Sequence, residues 1–241
     1  SVNDGLAARL VEGSLDLMPA EAYVVLDYPE KIRKLLPRTN SITSVYLQQM
    51  VAVAVTELIV ISPYFVPQQQ GVEFFGRLVS KGVRVIIISN SLASTNHSSV
   101  HAVYARYRKP LLQRGVELHE LRPQLESSVA TTKVTLHSKV ATVDRKKVFV
   151  GSFNLDPRSL YLNTEMGMVV ESDELAGSMA ESILASLPDI AYKLQLSEKG
   201  RLQWRLQAAS GDELITTEPQ TTWWRRFKTK LLSFLPIESQ M

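Results

Sequence analysis

Two short runs of branched apolar residues, Leu58 to Ser62 (LIVIS) and Val83 to Ser89 (VRVIIIS), limit the possible folds more than any other feature of the chain. Each is apolar almost throughout, without the alternation of a half-exposed strand, and so reads as a buried strand. Phe74 to Lys81 lies between them with an amphipathic helical pattern and closes at Gly82. Val116 to Leu121 follows as a third strand. Strands alternating with helices predict an α/β fold, a mixed β-sheet flanked by helices.

The rest of the chain fits that frame. Ser41 N-caps a helix running to Thr56, and Pro63-Tyr64-Phe65-Val66-Pro67 is a rigid loop at a strand's end. Val100 to Arg114 reads as a helix broken near Pro110, with Arg106, Arg108 and Lys109 as a solvated face. A loop at 122–132 leads to a strand from Val134 to Val143, and Lys147 to Val150 is its neighbour. Asp156 and Pro157 suit the N-cap and first position of a helix, Met166 to Glu171 a strand, and Asp173 to Ser186 another helix. The pattern changes after Pro188. Tyr192 to Leu196 and Leu202 to Leu206 form a β-hairpin, and Trp223 to Leu235 is a basic, aromatic-rich amphipathic tail. Glu21 to Asp27 has the composition of a strand, and Pro29 and Pro37 punctuate the residues after it.

Composition removes several classes of function. There is no cysteine, which excludes disulfides, thiolate catalysis and cysteine-based zinc sites. No apolar run approaches the roughly 20 residues needed to span a bilayer. The net charge of +3 and sequence pI near 9.0 favour anionic partners without choosing among them.

The chemistry is concentrated in His137 to Glu165. His137, Lys139 and Asp144 are spaced H-x-K-x4-D, Gly151-Ser152-Phe153-Asn154 follows, and Asn163 and Glu165 close the stretch. On a strand, His137 and Lys139 would project from the same face. An imidazole can attack phosphorus and split one hard displacement into two steps. The lysine ammonium, Ser152 and Asn154 offer charge and donors to the non-bridging oxygens, just before a helix N-terminus that favours anions. The histidine's other nitrogen needs a partner, for which Glu165 is the candidate.

His137, Lys139 and Asp144 followed by Gly151-Ser152-Phe153-Asn154 resemble the HKD motif of the phospholipase D superfamily. The resemblance implies that His137 is the nucleophile or its general-acid counterpart. It implies that Lys139, Ser152 and Asn154 bind phosphate, with Asn163 beside them, that Glu165 orients the histidine, and that the chemistry uses neither metal nor cofactor. Asp144 then looks structural, paired with nearby basic groups. ISPYFVP, the strand at Gly82-Val83-Arg84-Val85, VHAVYARYRKPLLQRGVELHEL and the closing LPIE look like the C-terminal half of bacterial cardiolipin synthases. That resemblance implies phosphatidyl transfer on a phospholipid. The alternatives are hydrolysis of a phosphate diester, by a phosphodiesterase or nuclease, and a lipid-binding half-domain without activity.

Such synthases carry two HKD motifs and this chain has one. His97, His101 and His119 lack a following x-Lys, so the second histidine is expected from a missing first half or from a homodimer. Residues 1–40 are expected to connect to that half, 41–190 to form the catalytic half, and 191–241 to add the hairpin and tail. The start at Ser1, with neither methionine nor signal-peptide pattern, reads as a fragment or processed piece. His97 and His101 are four apart, but serine-rich flanks and the lack of a glutamate after His97 argue against a metal site. Tyr64, His101 and Tyr104 are candidates to line the cleft, with packing as the alternative. The tail's two tryptophans, phenylalanine and four basic residues suit an interfacial helix on an anionic membrane surface, with a helix docked on its own domain as the alternative, and nucleic acid is not expected as a partner. The expected location is peripheral, on the cytoplasmic side of the bacterial inner membrane.

Overall fold

The computed structural model describes residues 8–14, 18–31, 41–123, 135–207 and 211–234. Pro37, most of the loop expected at 122–132, Val134 and the closing LPIE lie outside these residues.

The apolar runs form the centre of one sheet. Strand β2 (Glu57–Ile61) pairs in parallel with β3 (Arg84–Asn90), and β3 with β4 (Glu117–Leu121). Antiparallel strands flank this trio. On one side stand β5 (Val140–Val143), β6 (Lys147–Gly151), β7 (Met166–Glu171) and β1 (Glu21–Leu26), and on the other β8 (Ala191–Leu196), β9 (Leu202–Leu206) and β10 (Glu213–Ile215). The order is β1-β7-β6-β5-β2-β3-β4-β8-β9-β10. Strands from 1–40, 41–190 and 191–241 therefore share one sheet, and the boundaries expected after residues 40 and 190 cut through it.

Both faces of the central strands are covered, which explains their continuous apolar sequences. Val60, Val85, Ile87 and Leu118 face a core completed by α1 (Ile42–Ala52), α2 (Gln68–Ser80), α3 (Ser98–Tyr104) and α4 (Arg108–Gln113). Ile59, Ile86 and Ile88 face α6 (Asp173–Ile190) through Ala180 and Leu187. A short helix, α5 (Pro157–Tyr161), precedes β7, and α7 (Trp223–Leu232) closes the described chain. Local chemistry sets the ends: Ser41, Asp156, Ser172 and Thr222 each accept an amide of the helix that each one caps. Gly82 and Gly115 take φ of +91° and +83° after α2 and α4, a backbone that disfavours any side chain.

Several expectations need correction. The ladder of β5 begins at Val140, so His137 and Lys139 precede it. The break in the helix over 100–114 falls at 105–107, upstream of Pro110, because the proline ring collides with the carbonyl four residues earlier. Helix α6 continues through Pro188 to Ile190, and α2 begins at Gln68.

Arg108 is no solvated face: the residue is 2% exposed. Its Nε lies 2.8 Å from Glu120 Oε1 and its Nη1 2.5 Å from Glu218 Oε1, while Nη2 meets His101 Nε2. Trp204 Nε1 donates to Glu120 Oε2 at 2.8 Å, and the guanidinium sits over the rings of Tyr104 and Trp204. Burial raises the Glu218 carboxyl, but Arg108 and His101 outweigh it and hold it at about 2. Among the described residues no helix is long and apolar enough to cross a membrane.

His119, on β4, gives a testable acid limit. Burial lowers its pKa from 6.5 to about 4, with the charge of Lys193 acting in the same direction. The unfolded chain therefore takes up this proton first, so stability is full above pH 6.5 and declines as pH falls towards 4. Chemical denaturation at pH 7 and pH 4 should show a loss of about 3 kcal/mol from this group. His119→Gln should remove that share of the slope.

Candidate active site

The strands place His137, Lys139, Ser152, Asn154 and Glu165 at one end of the sheet. There β2, β3, β6 and β1 finish and β5 and β7 begin, outside the carboxyl ends of the parallel strands, where α/β sheets hold ligands.

His137 is exposed and sits on a segment fixed by Asn90. The Asn90 Oδ1 accepts from Leu136 N at 3.0 Å, and its Nδ2 donates to Leu136 O at 3.1 Å. One side chain thus supplies the pairing that a neighbouring strand would give. Ser94 Oγ donates to the same Oδ1 at 3.1 Å, and Thr135 Oγ1 donates to Ser94 O at 2.9 Å. Asn90 is buried at the end of β3, and its position just after an apolar run was the only sequence signal for it.

Lys139 differs from His137 in exposure. It is buried, and its Nζ turns back to donate to His137 O at 2.8 Å. Burial lowers its pKa, while the charges of Glu165 and Asp156 oppose that shift. The lysine therefore feels the charge of two carboxylates.

Glu165 is 5% exposed and almost wholly bonded. Its Oε2 accepts from the Ser152 hydroxyl and its Oε1 from Asn163 Nδ2 at 3.2 Å. Arg158 Nε donates to Asn163 Oδ1 at 3.2 Å, which holds that amide in turn. Among the described residues the Glu165 carboxylate meets Ser152 and Asn163, and the expected contact with the His137 ring is not made. Ser152 and Asn163 thus direct donors at Glu165 in this state. Asn154 is buried, with its amide nitrogen donating to Ser159 Oγ at 3.2 Å. Its side-chain Oδ1 is buried and has no partner among the described residues.

The backbone of Glu165 is clamped by Asp27, at the end of β1. Asp27 Oδ2 accepts from Glu165 N at 3.0 Å, Asp27 N donates to Glu165 O at 2.8 Å, and Oδ1 accepts from Thr43 N at 3.0 Å. Lys31 Nζ completes the carboxylate at 2.9 Å. Burial opposes the charge, but these bonds hold Asp27 below the usual carboxylate range. Nothing in the sequence pointed to Asp27 as a support of the site, because Glu165 lies 138 positions further along the chain.

Asp156 was legible as an N-cap but not as a member of the site. Its carboxylate accepts from Ser159 N at 2.7 Å, so the short helix α5 is already capped and its N-terminus is not open to an anion as expected. Burial raises the Asp156 pKa, with Ser159 opposing. Tyr64 is felt by the same carboxylate: burial raises its phenol, with Asp156 adding to the rise. Its hydroxyl donates to Asn96 Oδ1 at 3.2 Å, and its ring meets His97 edge-on at 5.3 Å.

Two candidates lie elsewhere. His101 is 3% exposed within the Arg108 cluster, its Nε2 3.8 Å from Glu218, and Tyr104 is buried beside it. Neither lines the cleft. Asp144 is at the opposite end of β5, where its carboxylate accepts from Val55 N, Thr56 N and Glu57 N at 2.7–3.1 Å. Burial would raise its pKa, but these backbone bonds hold it low. Its partners are main-chain amides and the Thr56 hydroxyl, which donates to Oδ1 at 2.9 Å, not the basic groups expected. No group of three or more His, Asp or Glu side chains able to hold a metal occurs among the described residues.

With this geometry in place, comparison with known proteins is direct. The family described as "Cardiolipin synthase, PLD-like domain" matches residues 47–185. The chain belongs to that family. It is 40% identical over 238 residues to cardiolipin synthase C of Escherichia coli, covering 95% of this chain and 50% of that protein. It therefore spans about half the length of this curated relative. Two solved structures share the fold. Nuc of Salmonella typhimurium, titled a phospholipase D family member, aligns with a TM-score of 0.51 at 20% identity, covering 70% of this chain and 97% of Nuc. The phosphatidylserine synthase of Haemophilus influenzae aligns with a TM-score of 0.54 at 10% identity, covering 88% of this chain and 44% of that one.

The positioning role of Asn90 in this PLD-like domain has a local readout. Asn90→Ala should expose the Leu136 amide, so its hydrogen exchange should accelerate by more than tenfold while amides within β2 stay protected. Unchanged exchange at Leu136 would show that the segment is held by other means.

Proposed function

We propose that this PLD-like domain is the half of a phosphatidyltransferase that carries the nucleophile, forming cardiolipin through a phosphohistidine intermediate at His137. The convergence of exposed His137 and Ser152 with buried Lys139, Asn154 and Glu165 at one end of the sheet carries this reading, in a chain that belongs to the cardiolipin synthase PLD-like family. The kinship with cardiolipin synthase C supports a phospholipid as substrate. A cavity of about 380 Å³ adds further support. Its walls include Leu47, Val60, Phe74, Phe153 and Leu155, suited to a hydrocarbon substituent.

In the first step a ring nitrogen of His137 attacks phosphorus, a P–N bond forms and the P–O bond to the leaving glycerol breaks. The leaving alkoxide takes a proton from a second histidine outside this chain. In the second step the hydroxyl of another phospholipid attacks phosphorus. It returns a proton to that second histidine and frees His137. Lys139 offsets charge near the phosphoryl oxygens, and Ser152 and Asn163 turn from Glu165 towards substrate as phosphate enters. Glu165, released from them, is then free to hold the His137 ring.

The second histidine comes from another HKD half, on the same polypeptide or in a homodimer. An uncovered apolar sheet face beside the site supports this. Val24, Leu26, Val150, Met166 and Met168 are exposed and adjacent in register on β1, β6 and β7. The location proposed is the cytoplasmic surface of the bacterial inner membrane.

The test supplies the second half and labelled phosphatidylglycerol. Cardiolipin should form, and brief reaction should leave label on His137 detectable by mass spectrometry. His137→Ala should cut turnover by about 10³-fold or more. Phosphatidic acid as the main product would favour hydrolysis over transfer. Full turnover by the variant, or by a proven monomer of this chain, would overturn the mechanism.

A further inference from the structure

Helix α7 is mounted the wrong way round for a helix that stabilises its own domain. A surface helix ordinarily buries its apolar stripe and shows its charges to water. Here the stripe that meets the domain is polar: Arg225 Nη2 donates to Thr95 O at 2.9 Å, and Thr229 is buried. Trp223, Trp224, Phe227, Leu231 and Phe234 recur on the opposite side and are all exposed, Trp224 to 62%. The rings pack on one another and not on the core. Trp223 and Phe227 stack at 5.4 Å and 13°, and Trp224 meets Trp223 edge-on at 4.8 Å. Lys228 and Lys230 are exposed on the same helix, whereas Arg225 and Arg226 are turned inward to Thr95 O and Thr221 O.

We infer that α7 is an interfacial helix whose aromatic ridge enters the headgroup region of an anionic phospholipid bilayer, with Lys228 and Lys230 meeting the lipid charge. Ten residues span only about 15 Å, so the helix lies in the plane of the interface and does not cross it. Tryptophan and phenylalanine with flanking lysines are the side chains that such a boundary selects. The polar mounting also aims the site. The loop that accepts Arg225 at Thr95 carries Asn96, the partner of Tyr64, and Ser94, which braces Asn90 and Thr135. Docking α7 therefore brings the rim of the His137 site to the lipid surface. This inference rests on the reading that the substrate is a membrane phospholipid.

The chain's third tryptophan makes the test specific. Trp204 is buried and bonded to Glu120, so a change in tryptophan emission on vesicles reports the ridge. With vesicles of phosphatidylglycerol and phosphatidylcholine, emission should shift to shorter wavelength. The triple variant W223S/W224S/F227S should lower the vesicle-bound fraction at least tenfold. K228E/K230E should lower binding to anionic vesicles severalfold and leave binding to pure phosphatidylcholine unchanged. Circular dichroism confirms that each variant is folded, and K228E/K230E with the parent's emission shift decides the matter if the triple variant is not. The inference is overturned if emission does not move, if both variants bind within twofold of the parent, or if sedimentation shows that the aromatic variant breaks a dimer built on this ridge. Turnover of detergent-dispersed phospholipid, with the second half present, separates the two readings. Vesicle binding through α7 without turnover defeats the catalytic reading alone. Turnover with vesicle binding indifferent to both variants defeats the docking alone.

Discussion

A guanidinium almost without access to water holds the part of the molecule that lies beyond the HKD motif. A buried charge is tolerated only where every ligand is in place, and removing one partner of such a pair typically costs about 3–5 kcal/mol. Arg108 finds its ligands in Glu120 on β4 and Glu218 in the segment before α7, with His101 and two aromatic rings around it. Because Glu218 is one of those ligands, the segment that leads into α7 is pinned to the sheet.

Asp27 performs the matching task on the other flank. It fixes the main chain of Glu165 from both sides while Ser152 and Asn163 hold the carboxylate. Asn90 fixes the segment before His137 in the same manner, with side-chain groups standing in for strand pairing. The site is therefore precise in its supports and open at its nucleophile. That division suits the proposed mechanism, in which His137 would form and lose a covalent bond to phosphorus in each cycle.

What the sequence revealed and what it concealed divide along a physical line. Features set within a few residues were readable: the buried strands at Leu58 and Val83, the caps at Ser41 and Asp156, the glycine stops and the hairpin. The motif's spacing likewise identified the family. Features set by distant partners were not. Arg108 looked solvated because Glu218 is 110 positions away, and Asp27 was invisible because Glu165 is 138 away. His101 was placed in the cleft because no local pattern reveals that its nitrogen meets a buried guanidinium. The burial of Lys139 beside an exposed His137 was not legible either, because it is set by the carboxylates of Glu165 and Asp156, which are distant in sequence.

The position of Asp27 has a bearing on how such a domain can be cut, copied or fused. A division at residue 40 keeps the whole HKD motif and loses the carboxylate that fixes Glu165, along with β1, the strand that covers the edge of β7. The heritable module is therefore longer than the motif and begins upstream of it. Gene duplication that carried only the stretch from His137 onward would transmit the reactive groups without the means to hold them still.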